Sequence, residues 1–152
     1  MFQAGDRVRW ESEADDGFPI VRYGFVRGTN GDATRFVVMP DDDLKNDLVV
    51  HETKLAAVTI GNLELRLRGT DLITDPALRP GLVNLWIAEA DQAGLQIRHV
   101  EPVDDSSATA LDTGCTLALV VAAGRRWELR ADCDAMIDDA ICIHVSPDDH
   151  PF

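Results

Sequence analysis

The feature that most constrains the fold is a succession of short apolar runs, each ended by Gly, Asp or Pro, through residues 1–60. In "RVRW", Val8 and Trp10 alternate with Arg7 and Arg9, the period of two that a half-buried β-strand shows. The runs "IVRYGFVRG", "TRFVVMP" and "DLVVHETKLAAVTI" follow, separated by the turn signals "GTNGD" and "PDDD". Short strands joined in this way predict a small β-barrel.

The order of these runs also suggests a family. The stretches "GDRVRW", "YGFVRG" with its mid-strand glycine, "RFVVMPDDD" and "LVVHETKLAAV" resemble the small SH3-like barrels of the Tudor and KOW type over residues 4–60. The resemblance implies a closed barrel domain over residues 1–60. It also implies a binding role, because such barrels bind peptides, modified side chains, RNA or neighbouring protein domains, and the fold does not decide among these.

Residues 61–152 predict an α+β part. "LELRLRG" and "ICIHV" alternate as strands do, and "CTLALVVAAG" with "RWELRA" predicts a hairpin. A helix is predicted from Arg79 and Pro80 to Gly94, because Pro is favoured in a first turn and Gly beyond a last one. We therefore expect a mostly antiparallel sheet covered by one main helix and packed as one unit with the barrel. The apolar face of this helix is Leu82, Leu85, Trp86 and Ala90.

The charge balance predicts the kind of partner. The 152 residues include 14 basic and 27 acidic side chains, a formal net charge of −13. Such a surface repels phosphate, which argues against direct binding to nucleic acid or to an anionic membrane. Residues 1–68 carry 9 basic and 12 acidic side chains, and residues 69–152 carry 5 and 15. We expect docking onto another protein with a basic surface, with solubility as the alternative reason for the acidity.

The composition also bears on the compartment. No run of the sequence is apolar for long enough to form a membrane helix, and residues 1–10 lack the apolar core of a signal peptide. Three irregularly spaced cysteines do not suit a secreted disulfide framework. We therefore expect a cytoplasmic protein.

Two acidic clusters are the candidate docking residues. Asp41, Asp42 and Asp43 lie between two apolar strand-like runs, at the expected tip of a hairpin, and Asp138 and Asp139 lie in the more acidic C-terminal part. The alternative is that a charged tip only keeps the turn solvated and discourages pairing between strand edges.

Aromatic residues of the first segment are a second candidate. Trp10 and Tyr23, together with Phe25 and Phe36, have the composition of the aromatic pockets in which Tudor-like domains hold a methylated cation. The alternative is that they form the core of the barrel.

Catalytic and metal-binding signatures are missing from the sequence. No phosphate-binding glycine loop, nucleophile elbow or zinc-protease motif occurs. Cys142 and His144 would share one face of a strand, with Cys115 and Cys133 as further possible ligands, but structural zinc sites draw their ligands from tighter spacings. We therefore predict no metal, no cofactor and no enzymatic activity.

These observations favour a non-enzymatic protein-interaction module, of the kind found among inhibitor, immunity and accessory proteins of bacteria and mobile elements. One alternative is a small-molecule-binding or regulatory domain with a pocket between barrel and helix, near Trp86. Another is a metalloprotein or enzyme that uses Cys142 and His144. Association of the chain with itself is compatible with each, since strand edges can pair.

Overall fold

A computed structural model describes residues 2–69, 75–103, 115–133 and 140–148 of the chain. The chain forms two compact units, Met1–Val58 and Thr59–Phe152, which we call the first and second units. Within the described ranges the secondary structure is mainly β, with ten strands and one α-helix, so the predicted α+β class is wrong. Within these ranges no helix combines the length and the apolar character that crossing a membrane requires.

The first unit is one antiparallel sheet of five strands. Neighbours in sequence pair from β1 to β4, and β5 returns to pair with β1, so that the order across the sheet is β4-β3-β2-β1-β5. The strands are β1 (Arg7–Glu13), β2 (Pro19–Thr29), β3 (Arg35–Pro40), β4 (Leu48–His51) and β5 (Ala56–Ala57).

The two faces of this sheet differ as the alternation in "RVRW" predicts. Val8 and Trp10 lie on the core face, and Arg7 lies on the opposite face, beside Phe25 of β2. Burial of these apolar side chains is the main favourable contribution to the stability of the unit. The core consists of Val8, Trp10, Val26, Phe36, Val38, Val50 and Leu55.

The prediction of a closed SH3-like barrel is wrong. β4 pairs with β3 alone and β5 pairs with β1 alone, so the sheet has two ends instead of a continuous ring. The physical reason lies in the last segment. A 3-10 turn at Glu52–Lys54 follows β4, and only Ala56 and Ala57 then pair with β1, which is too short a strand to close the sheet.

The mid-strand glycine of β2 has a packing role. Gly24 lies opposite Pro40 of β3, and a Cβ atom at this position would lie 2.4 Å from the carbonyl oxygen of Met39. No side chain tolerates that contact with a backbone atom, so β2 and β3 approach closely only because residue 24 is glycine.

The second unit contains another antiparallel sheet of five strands, in the order β6-β10-β9-β8-β7. A two-residue turn at Ala123 and Gly124, both with positive φ, joins β8 to β9 and confirms the predicted hairpin. The strands are β6 (Leu65–Arg68), β7 (Ile97–Pro102), β8 (Cys115–Ala122), β9 (Arg125–Cys133) and β10 (Ala140–Pro147).

The helix α1 (Arg79–Gln92) lies near one end of this sheet. Its bounds agree with the prediction, with Pro80 in the first turn and Gly94 in a positive-φ conformation just beyond the end. Trp86 is fully buried, and its Nε1 donates to the carbonyl of Leu63 at 3.1 Å.

The prediction that this helix covers the sheet is wrong. The main contacts of α1 are with β7 and β8, the two strands at one end of the sheet, and not with the sheet as a whole. The predicted apolar face of the helix is also too wide. Leu85 is 51% exposed, while Leu82, Trp86 and Ala90 are buried. A helix of 14 residues spans about 21 Å, and its direction relative to the strands is a tertiary property that the amphipathic pattern does not report.

Candidate functional site

Asp41, the first aspartate of the predicted tip, is held by a buried arginine. Arg7 donates from Nη1 to Asp41 Oδ1 at 2.7 Å and from Nη2 to Asp41 Oδ2, a two-point ion pair. The Arg7 side chain is 5% exposed and that of Asp41 28%. The Arg7 guanidinium also lies over Phe25, 4.6 Å from the ring centre, so its charge is balanced on two sides.

Asp42 has a similar partner nearer to solvent. Arg22 donates from Nη2 to Asp42 Oδ1 at 2.7 Å and from Nε to Oδ2 at 3.1 Å. The Asp42 side chain is 56% exposed, so water screens this pair more than the first one. Two of the three tip aspartates therefore belong to ion pairs inside the unit, and arginines offset part of the acidity that the sequence suggests.

The remainder of the tip is a solvated turn. Asn46 donates to both carboxylate oxygens of Asp43 at 3.2 Å, and Arg27 pairs with Asp47 at 3.2 Å. Leu44 lies between these groups with 62% of its surface exposed. The tip thus presents an apolar side chain next to charged residues of the same turn.

The aromatic candidates face the protein's own arginines. Trp10 and Tyr23 are both 6% exposed. The Arg22 guanidinium lies 5.6 Å from the centre of the Trp10 ring, and Arg7 lies 5.8 Å from that of Tyr23. Cations of the chain therefore already occupy the ring faces that would hold a methylated cation, and Phe36 is fully buried in the core.

The second unit has a polar network on one face of its sheet. Thr116, Arg130 and His144 lie opposite one another on β8, β9 and β10. Arg130 donates to Glu128 at 3.0 Å and to Asp132 at 3.2 Å, and His144 Nε2 donates to Asp132 at 2.6 Å. Thr116 contacts Glu128 as well. These groups satisfy one another's hydrogen bonds, which is how a partly buried polar face is stabilised.

Cys142 belongs to the same face, and its thiol is protonated. Its Sγ donates to Glu64 Oε2 at 3.0 Å. Burial raises the pKa of the Cys142 thiol, and the hydrogen bond and negative charge of Glu64 add to the effect, to about 12. Because the thiolate is both the nucleophile and the metal ligand, this environment argues against the alternative in which Cys142 is catalytic.

The four possible metal ligands do not meet. Cys142 and His144 do share a face, as predicted, and each is directed to its own carboxylate. Cys115 and Cys133 lie on the opposite face, with Ala131. Among the described residues no group of three or more His, Cys, Asp and Glu side chains is placed to hold a metal ion.

A cavity of about 560 Å³ lies between the helix and the end of the second sheet. Val83 and Ile87 of α1 form one wall, and Val100 of β7 and Leu117 of β8 form another. The volume falls in the range of small-molecule sites, and the lining is mainly apolar. All of the lining residues belong to the second unit, whereas the sequence suggested a pocket between barrel and helix.

The outcome for the predicted docking residues differs from one to the next. Asp41, Asp42 and Asp43 come together at one hairpin end with Arg7 and Arg22, which sequence reasoning did not connect to them. The alternation of arginines with apolar residues in β1 and β2 indicates that these arginines share a face. Which aspartate each arginine pairs with depends on strand register, which the sequence does not show. Asp138 and Asp139 lie outside the described residues.

The chain matches no protein-family model, no curated protein and no solved structure. Inference about function therefore depends on the chain's own geometry.

The Arg7–Asp41 pair is expected to stabilise the first unit far more than the Arg22–Asp42 pair does. Asp41→Ala leaves a buried guanidinium without its carboxylate, which we expect to cost about 2–4 kcal/mol of unfolding free energy. Asp42→Ala, the matched control, breaks a pair at the surface and should cost at most about 1 kcal/mol. Urea denaturation followed by circular dichroism measures both, and equal losses would contradict the assignment.

Cys142 is expected to react slowly with iodoacetamide. With its pKa at about 12, its thiolate fraction at pH 8 is roughly two thousandfold below that of an unperturbed cysteine, whose pKa lies near 8.5. Peptide mass spectrometry follows the rate at each cysteine. Glu64→Gln removes the negative charge that raises the pKa, so alkylation should accelerate, whereas burial without an electrostatic effect predicts no change.

Proposed function

We propose that the chain is a non-enzymatic protein-interaction module that docks through the β3–β4 hairpin, residues 35–51. The observation that supports this most directly is apolar exposure. Leu44 is 62% exposed and Val49 53%, and these are the two most exposed large apolar side chains among the described residues. Both lie on this one hairpin. An apolar side chain held in water among charged neighbours is typical of the centre of a protein-binding surface.

Hydrogen bonds hold the base of the tip in the unbound chain. Arg7 and Arg22 each fix an aspartate at two points, and the Asp41 backbone N–H donates to the carbonyl of Tyr23 at 2.9 Å. A surface that is already ordered loses little conformational entropy on binding, so more of its contact energy appears as affinity.

The charge of the chain favours a basic partner. A net charge of −13 raises the rate at which a basic protein surface approaches, and it disfavours acidic competitors. Arg7 and Arg22 reduce the contribution of Asp41 and Asp42 themselves, so we assign the binding energy chiefly to Leu44 and the attraction at long range to the chain as a whole. The proposal includes an inhibitor, immunity or accessory role in the cytoplasm.

Leu44→Ser tests this proposal against Leu85→Ser as a matched control. Leu85 is 51% exposed on the helix, so both variants remove a similar apolar surface and both are expected to fold. Immobilised protein is exposed to a lysate of the cells that express it, at low and at high salt, and retained proteins are quantified by mass spectrometry. We expect a species that wild type and Leu85→Ser retain at low salt and that Leu44→Ser loses at least tenfold.

Two results would contradict the proposal. Equal retention by all three proteins would show that the hairpin does not bind the species. Retention that is indifferent to salt would remove the electrostatic part, because exposed charges are screened within about 8 Å at physiological ionic strength.

The cavity of the second unit supports a second candidate function, the binding of a small apolar molecule. Its volume of about 560 Å³ and its mainly apolar walls at Val83, Ile87, Val100 and Leu117 suit a largely apolar ligand, while Arg79 and Asn84 add polar groups to the lining.

N-phenyl-1-naphthylamine, an uncharged probe that fluoresces in apolar sites, tests this second candidate. We expect saturable binding at a ratio of one probe to one chain. Ile87→Trp fills the cavity and should abolish binding, while Leu85→Trp, on the exposed side of the same helix, should not. Unsaturable binding, or equal binding by both variants, would exclude the cavity as the site.

A further inference from the structure

One edge of the first sheet is open. β4 is the last strand of the order β4-β3-β2-β1-β5, and among the described residues no strand is hydrogen-bonded to its outer side. Trp10, Glu11 and Ser12 of β1 line an open crevice together with Val49 and His51. Such an edge presents backbone donors and acceptors that another strand can pair with. Which residues present them follows from the hydrogen bonds on the inner side.

The inner hydrogen bonds involve every second residue. Glu52 N–H donates to the carbonyl of Thr34 at 2.8 Å, and the register continues from that pair to Phe36 opposite Val50. Hydrogen-bonded and non-hydrogen-bonded pairs alternate in an antiparallel ladder. Val50 therefore points its backbone groups toward β3, and Val49 points its N–H and C=O outward to the open edge.

The side chains along this edge form a self-complementary pattern centred on Val49. Asp47, Val49 and His51 are alternate residues, so they project to the same face. Val49 is the apolar centre, with a carboxylate two residues before it and an imidazole two residues after it. An antiparallel partner with the same pattern meets it with complementary groups.

We propose that this edge pairs with the same edge of a second copy of the chain, antiparallel about a two-fold axis at Val49. Val49 then lies opposite Val49 of the second copy, and Asp47 lies opposite His51 of the second copy. A two-fold axis makes each contact occur twice, which is the usual symmetry of a homodimer. The outward backbone groups of Val49 pair with those of its copy.

The hydrogen-bonding state of His51 suits this contact. Thr53 N–H donates to His51 Nδ1 at 3.2 Å, so in the neutral ring the proton is on Nε2. Asp47 accepts from Arg27 through Oδ2 at 3.2 Å, and a carboxylate has acceptor positions beyond that one. His51 Nε2 can therefore donate to Asp47 of the second copy without breaking either contact.

Other registers are less favourable. An axis at Leu48 or Val50 also lets outward backbone groups pair, but it places Val49 opposite Asp47 or His51 of the second copy, so an apolar side chain meets a polar one and the Asp47–His51 contacts are lost. An axis shifted by two residues toward the tip places Asp47 opposite Asp47 of the second copy, and like charges directly opposite are destabilising. A two-fold axis at Val49 is thus the position that both pairs the outward backbone groups and matches the side chains of the two copies.

In this dimer the second copy covers Val49, while Leu44 lies outside the paired strands and stays accessible, so the inference does not depend on the proposed docking function. Dimerisation would give one assembly two copies of the docking tip. Binding to a partner that displays two sites is then strengthened through effective concentration.

Charge variants of Val49 test the dimer and its register together. Val49 is half-exposed, so Val49→Lys and Val49→Glu are both expected to fold, which circular dichroism and thermal denaturation check. Sedimentation velocity on the purified chain should show wild type shifting from monomer to dimer as concentration rises. Each variant alone should weaken dimerisation at least tenfold, because like charges meet at the axis.

The decisive sample is an equimolar mixture of the two variants. If residue 49 of one copy lies opposite residue 49 of the other, Lys opposes Glu and the mixture recovers the dimer. The uncharged control variant Val49→Thr should dimerise on its own. A monomeric wild type at millimolar concentration overturns the proposal. Dimers of Val49→Lys as tight as wild type, or a mixture that stays monomeric, overturn the assignment of this edge and register.

Discussion

The alternation of side chains along antiparallel strands is the constraint on which both units depend. Once the register of a pair is set, every side chain is assigned to one face and to one partner across the strand. In the first unit this assignment places Val8 and Trp10 in the core and Arg7 beside Phe25. In the second unit it separates an apolar face from the polar network that includes His144.

Polar groups on a partly buried face need partners, and this need explains much of what resembles function in the sequence. Asp41 and Asp42 accept hydrogen bonds from Arg7 and Arg22, so the first role of these aspartates is to hold the hairpin end in place. The same reasoning applies to Cys142, whose hydrogen bond to Glu64 keeps the thiol protonated. The charged and thiol side chains that suggested a binding or catalytic site in the sequence therefore mostly form hydrogen bonds and ion pairs with one another.

Two large apolar side chains stay exposed beside these networks, and the function that we propose follows from them. Leu44 and Val49 cost free energy in water, and each gains if a partner covers it. Leu44 lies at a turn and suits a pocket of another protein. Val49 lies on an open strand edge suited to a second strand, so one hairpin serves two kinds of contact.

The sequence by itself determined the local structure: the strands of the first sixty residues, the face that Val8 and Trp10 share, and a helix that begins near Pro80 and ends before Gly94. These follow from interactions between residues close in the chain. Only the tertiary structure decided that the first sheet stays open, that the helix packs against two strands at one end, and that Asp41 meets Arg7 across 34 positions. Such contacts depend on strand register and strand length, which are set by the packing of the whole sheet and not by any one segment.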